Sequence, residues 1–166
     1  MQKLICFAFT LFFFISSYSQ KAIDTTAPYQ RFPTLPPFKL LKTDSVSVFT
    51  KANLKKNRAV LIMLFSPSCD HCQHETEEII KRIDAFKKIE IVMATPMPFK
   101  QMKEFYGKYK LNKFENITVG QDFQYFLPSF FMVRNLPYLA MYDKKGNLLK
   151  TFEGNMKMDD LLRVFK

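Results

Sequence analysis

Residues 59–86 read AVLIMLFSPSCDHCQHETEEIIKRIDAF, and this stretch decides the fold. Ala59 to Phe65 is apolar at every position, so a strand built from it must be covered on both faces, as inside a parallel sheet. Pro67 cannot donate to a ladder and ends the strand. Cys69-Asp70-His71-Cys72 then opens a segment in which Cys72, Thr76, Ile79, Ile80, Ile83 and Phe86 form one stripe, predicting a helix that runs on to Phe86. Two thiols on the first turn of a helix behind a buried strand imply a redox centre.

Downstream, Ile89 to Ala94 is a second strand, and strand, helix, strand implies a right-handed crossover. Phe99, Met102, Phe105, Tyr106 and Tyr109 repeat at helical spacing. Ile117 to Val119 reads as a short strand and Asp122 to Leu127 as a short helical piece. Tyr138 to Tyr142 and Leu148 to Phe152 flank Asp143-Lys144-Lys145-Gly146-Asn147, a hairpin turn with glycine available for positive φ. Met158, Leu161, Leu162 and Phe165 mark a closing helix. The Phe and Met residues of these segments belong to the core rather than to a cofactor box, and no cofactor is expected.

Upstream, Thr50 to Asn57 adds a helical turn, and Phe38 to Leu41 with Ser45 to Phe49 suggests a small hairpin. Gln20 to Pro37 is polar, proline-bearing and aperiodic, an extended N-terminal lead. Lys3, the apolar block Leu4 to Ile15 and the small residues Ser17 and Ser19 read as a secretory signal peptide over residues 1–19. About a dozen apolar residues are too few to span a bilayer comfortably. The organisation expected is thus signal peptide 1–19, lead 20–37 and one domain over 38–166, long enough for a full core. Cys6 leaves with the signal, so two of the three cysteines remain and both lie in the pair. A secreted chain with no other cysteine has no disulfide framework, which favours working chemistry over stapling.

The formal net charge is +10, spread as Lys55-Lys56, Lys87-Lys88, Lys144-Lys145 and others. Such scatter describes a solvated surface with at most peripheral membrane contact, and no nucleic-acid motif accompanies it.

Position on the helix assigns unequal work to the thiols. Cys69 begins the helix, where unsatisfied N–H groups and the positive end of the dipole stabilise a thiolate, making it the nucleophile. Cys72, one turn in and core-facing, resolves the mixed disulfide. At about 100° per residue, Glu75 falls roughly 60° from Cys72, on the flank of the buried stripe. His74 and Glu77 point to the far side. Glu75 is therefore the acid placed to carry the Cys72 proton, with a pKa raised by desolvation. Its competing role is that of one among three glutamates near the helix start. His71, between the thiols, can supply a donor or positive charge towards Cys69. A zinc knuckle would need a second CxxC or paired histidines, and neither follows.

These residues resemble the thioredoxin superfamily, and more closely its secreted TlpA/ResA-like thiol–disulfide oxidoreductases, over about Pro37 to Lys166. The resemblance implies an α/β thioredoxin-like fold, a central mixed sheet flanked by helices, with an N-terminal β-hairpin extension. It implies that Pro137 is a cis-proline packing against the thiol pair and that Leu136 offers backbone hydrogen bonds to a substrate strand. Glu75, six residues after Cys69, matches the C-x-x-C-x-x-E of that branch, and Gly154 resembles the glycine after the last strand. Implied partners are protein thiols and disulfides, an upstream redox partner and, at family level, cytochrome c maturation factors. The implied location is across the inner membrane, in the periplasm.

Two positions depart from the superfamily: Ser68 stands where an aromatic residue usually precedes the first cysteine, and Met63 stands where thioredoxin carries a buried aspartate. The second departure makes Glu75 the more plausible proton carrier. A peroxiredoxin is disfavoured, since its Pro-x-x-x-Thr-x-x-Cys pattern would put proline at Ile62. A second expectation, from the binding class, is a metal-handling member holding copper or zinc through Cys69, Cys72 and His71. The helix start and His71 argue for an oxidising pair, whereas the resemblance argues for a reductant.

Overall fold

A computed structural model describes residues 26–166; the signal peptide assigned to residues 1–19 lies outside them. A seven-stranded mixed sheet forms the centre, in the order β2-β1-β5-β4-β3-β6-β7. The strands are β1 (Lys39–Lys42), β2 (Val48–Thr50), β3 (Ala59–Leu64), β4 (Ile89–Thr95), β5 (Ile117–Gln121), β6 (Tyr138–Tyr142) and β7 (Leu148–Glu153). The apolar run of residues 59–64 is an interior strand, parallel to β4 and antiparallel to β6.

Period two along that strand feeds two cores. Leu61, Met63 and Phe65 pack on the face covered by α2 (Asp70–Lys81), α3 (Phe99–Lys108) and α5 (Met158–Val164). Val60, Ile62 and Leu64 pack on the face covered by α4 (Phe126–Phe131) and by Tyr29 of α1 (Pro28–Arg31). Because β3, β4 and β5 run parallel, their C-terminal ends share one edge of the sheet, and the thiol pair follows β3 there.

Several elements differ from their sequence expectations; the expected strand at Ser45 to Phe49 is β2 at Val48–Thr50, and the helical turn expected at Thr50 to Asn57 is a 3-10 turn over Lys51–Asn53. The helix after the pair ends at Lys81 rather than Phe86: Arg82 N–H bonds back to Glu78 O and Ile79 O, and a 3-10 turn over Ile83–Phe86 follows. The tighter turn swings Phe86 into the core, while Arg82 Nη2 reaches Asp159 Oδ1 on α5 at 2.8 Å. The helical piece expected at Asp122 to Leu127 starts later, because Asp122 stays outside it as an acceptor. Its Oδ1 takes the Phe126 N–H at 3.1 Å and its Oδ2 the Leu127 N–H at 2.7 Å, which satisfies free donors at the start of α4. Within the lead, α1 forms one helical turn, and Thr34 bridges Asn147 at the β6–β7 turn, where Gly146 has φ +83°.

The N-terminal hairpin joins the sheet by β1 pairing with β5. Gly120 makes that approach possible: a Cβ there would lie 2.7 Å from Leu40 Cβ and 3.1 Å from Leu41 O. Gly120→Ala should therefore cost about 1–3 kcal/mol by forcing β1 outward. Thermal denaturation checks this, with a fall in Tm of several degrees expected and an unchanged Tm contradicting it.

Candidate active site

The turn Ser66-Pro67-Ser68 carries the chain from β3 to α2, with Cys69 N–H bonding back to Ser66 O at 3.1 Å. Cys69 is the N-cap of α2, and its Sγ accepts the Cys72 N–H at 3.3 Å. A sulfur in that position receives a backbone donor and faces the positive helix end together. Both cysteines are free thiols, Cys69 half-buried and Cys72 buried at 0% exposure. Burial, together with the Cys69 side chain beside it, pushes the Cys72 thiol far above its ordinary pKa.

Across the sheet edge, the Leu136–Pro137 peptide bond is cis, and Cys69 Sγ lies 3.9 Å from Leu136 O. The main chain that the resemblance marked for substrate contact thus borders the outer thiol.

Glu75 is more deeply buried than helix phase alone suggests, at 1% exposure, among Cys72, Thr76 and Ile79 on the inner side of α2. Burial raises its pKa, partly countered by hydrogen bonds from Asn155 and Met156. Both bonds reach the same oxygen: Oε2 accepts from Asn155 Nδ2 at 3.0 Å and from Met156 N–H at 3.1 Å. Oε1 is buried with no hydrogen-bond partner. A protonatable oxygen without a partner, beside a buried thiol, can hold and pass a proton.

His71 is exposed, and its carbonyl accepts from Asn155 Nδ2 at 2.7 Å. The donor to Cys69 Sγ is main chain, from Cys72. His74, read from sequence as facing away, lines a hollow of about 400 Å³ together with Glu75, Glu78 and Asn155. Among the described residues, no three His, Cys, Asp or Glu side chains converge as a metal site would require. The His71 ring therefore does not complete a ligand set with the two thiols.

Two residues of this neighbourhood are missing from the sequence reading. Asn155 lies in the loop after β7, with nothing in its local pattern to mark it. Gln73 points out of α2 to donate from Nε2 to Pro67 O at 2.9 Å, while its Oε1 accepts from Lys108 Nζ and Tyr109 OH at 3.0 and 3.3 Å. It clamps the turn before the pair to α3. Beside that clamp, Pro67 and Ser68 border a hollow of about 380 Å³ against Gln101, Glu104 and Lys108.

With this geometry in view, the thioredoxin-like domain family matches residues 47–166. Among solved structures, a secreted Mycobacterium tuberculosis disulfide oxidoreductase homologous to E. coli DsbE is 19% identical, with TM-score 0.64 over 77% of this chain and 93% of that one. StoA from Bacillus subtilis is 20% identical, with TM-score 0.59 over 80% and 98%. The pneumococcal exposed lipoprotein thioredoxin Etrx1, from Streptococcus pneumoniae strain TIGR4, is 25% identical, with TM-score 0.58 over 77% and 96%. No curated protein matches the sequence. Among the described residues, no helix is long and apolar enough to cross a membrane.

Proposed function

From a chain that belongs to the thioredoxin-like domain family, we propose a thiol–disulfide oxidoreductase that exchanges disulfides with protein substrates through Cys69 and Cys72, outside the cytoplasm. The observation that carries the reading is the asymmetry of the pair: one sulfur at a helix N-cap, half-exposed and bonded by a main-chain N–H, the other fully buried beside a buried acid. The signal-like residues 1–19 support the location, as do secreted relatives of the same fold.

In the forward direction, Cys69 thiolate attacks one sulfur of a substrate disulfide and expels the other as a thiolate. Leu136 and Pro137 border the incoming strand. Glu75 carboxylate then takes the Cys72 proton as Cys72 sulfur attacks Cys69 sulfur. The second substrate thiolate leaves, and the Cys69–Cys72 disulfide forms. Two electrons have passed to the substrate, whose thiolates take up the two protons released by the pair. An upstream dithiol restores the pair by the reverse steps, with His71 as an exposed residue of the same helical turn. For the metal-holding alternative, no third His, Cys, Asp or Glu side chain converges with the two thiols among the described residues.

The test equilibrates the protein in glutathione buffers and follows both free thiols. Full two-electron conversion is expected, with a midpoint between about −120 mV, the oxidant end, and about −270 mV, the reductant end. Failure to form the Cys69–Cys72 disulfide anywhere in that range would sink the reading.

A further inference from the structure

We propose that Asn155 is the positioning residue for proton transfer at this site: its side-chain amide holds Glu75 to the start of α2, with Oε1 left as the oxygen that takes the Cys72 proton. The inference rests on Glu75 as proton carrier and adds the group that makes it one.

A side-chain amide has two N–H donors on one nitrogen. Here Nδ2 meets Glu75 Oε2 at 3.0 Å and the His71 carbonyl at 2.7 Å. The carbonyl cannot donate, and Oε2 already accepts the Met156 N–H, so the facing atom is nitrogen rather than oxygen. The pair of bonds ties the carboxylate to the backbone between the two cysteines. Serine or aspartate in the same place could not make both.

The loop that presents Asn155 is itself anchored to the substrate-facing edge. Gly154, at φ +91°, donates its N–H to Pro137 O at 2.8 Å, and the next two residues supply both donors to Glu75 Oε2. Substrate-facing proline, proton carrier and thiol helix therefore converge on three consecutive residues, 154–156.

The hollow of about 400 Å³ lined by Glu75 and Asn155 gives the proton a way to leave. The charged and titratable groups lining it with Glu75 are His74 and Glu78 from α2, Arg82 just past its end, Lys157 from the loop after β7 and Asp159 from α5. Arg82 and Asp159 neutralise one another at 2.8 Å. The Asn155 bond is the largest influence holding the Glu75 pKa down against burial. Without it, the carboxylate form appears only at higher pH.

The probe is the Cys69 mixed disulfide with thionitrobenzoate, in a Cys6→Ser background, where attack by Cys72 releases the coloured thiolate. Asn155→Ala should slow this release roughly tenfold at neutral pH, the loss expected for one charge-assisted hydrogen bond. It should also move the acid limb of the rate profile upward. Asn155→Asp, which keeps the shape but adds a second carboxylate, should move it further. In a Glu75→Gln background, Asn155→Ala should change the rate less than about twofold, because interacting residues are not additive.

An equal slowing in both backgrounds, or an unmoved pH profile, overturns the role of Asn155 while leaving Glu75 as carrier. A wild-type profile for Glu75→Gln alone overturns the carrier and the inference with it. Thermal melting of each variant separates these outcomes from loss of fold.

Discussion

Replacing Cys69 by serine should abolish disulfide exchange, with a loss of at least about a thousandfold in insulin reduction, because a serine hydroxyl neither ionises near neutral pH nor forms the mixed disulfide. Cys72 cannot substitute for it, being fully buried with its thiol held protonated by that burial. The complementary variant, Cys72→Ser, should still react with substrate but fail to resolve. Mixed disulfides should then accumulate through Cys69 and survive non-reducing electrophoresis until a reductant is added. Stability should divide the two variants in the opposite sense. Serine at position 69 keeps an N-cap acceptor for the Cys72 N–H and should fold as well as the parent. Serine at position 72 buries a hydroxyl in an apolar cluster and should cost about 1–3 kcal/mol. Near-parental activity of both variants would mean that the pair is not the reacting centre.

Glu75→Gln should slow resolution by roughly a hundredfold at neutral pH, the lower end of what a positioned acid–base group contributes. It should also make the protein more stable at neutral pH than the parent. Burial raises the Glu75 pKa from its ordinary 4.5, so over the interval above that value the folded state holds a proton that the unfolded state has released. Stability of the parent therefore falls as pH rises through the interval. Glutamine has no such proton, so the advantage of the variant should be small below about pH 4 and grow towards neutrality. Urea denaturation at acid and neutral pH reads the difference directly. A gap that stays constant with pH would show that Glu75 is not held in a raised state.

Local pattern carried much of this molecule. The apolar run of residues 59–65 carries the signature of an interior strand covered on both faces, and residues 59–64 of it pair on both sides in the sheet. The hairpins and the closing helix followed from turn residues and periodicity in the same way. Where expectation and structure part, a side chain had a second use. Asp122 looked like the first residue of a helix, yet its carboxylate does more outside, accepting two N–H groups of α4. Ile83 and Phe86 continued the stripe of α2, but filling the core beneath β3 and β4 needed the tighter turn that begins after Arg82.

Local pattern alone singled out the residues able to carry the chemistry: a thiol pair at a helix start, an acid one turn further on, and the strand that delivers them. Helix phase is a local property, so it could rank Glu75 above Glu77 and His74 without any knowledge of the remainder of the chain. How that acid is held depends on long-range packing. The amide that grips Glu75 and the His71 carbonyl stands 80 and 84 positions away in the chain, and the clamp on the turn before the pair comes from α3 through Gln73. Periodicity has no term for such distances. A hydrogen bond across the fold depends on where two separately formed elements come to rest, and that is settled by packing of the whole core.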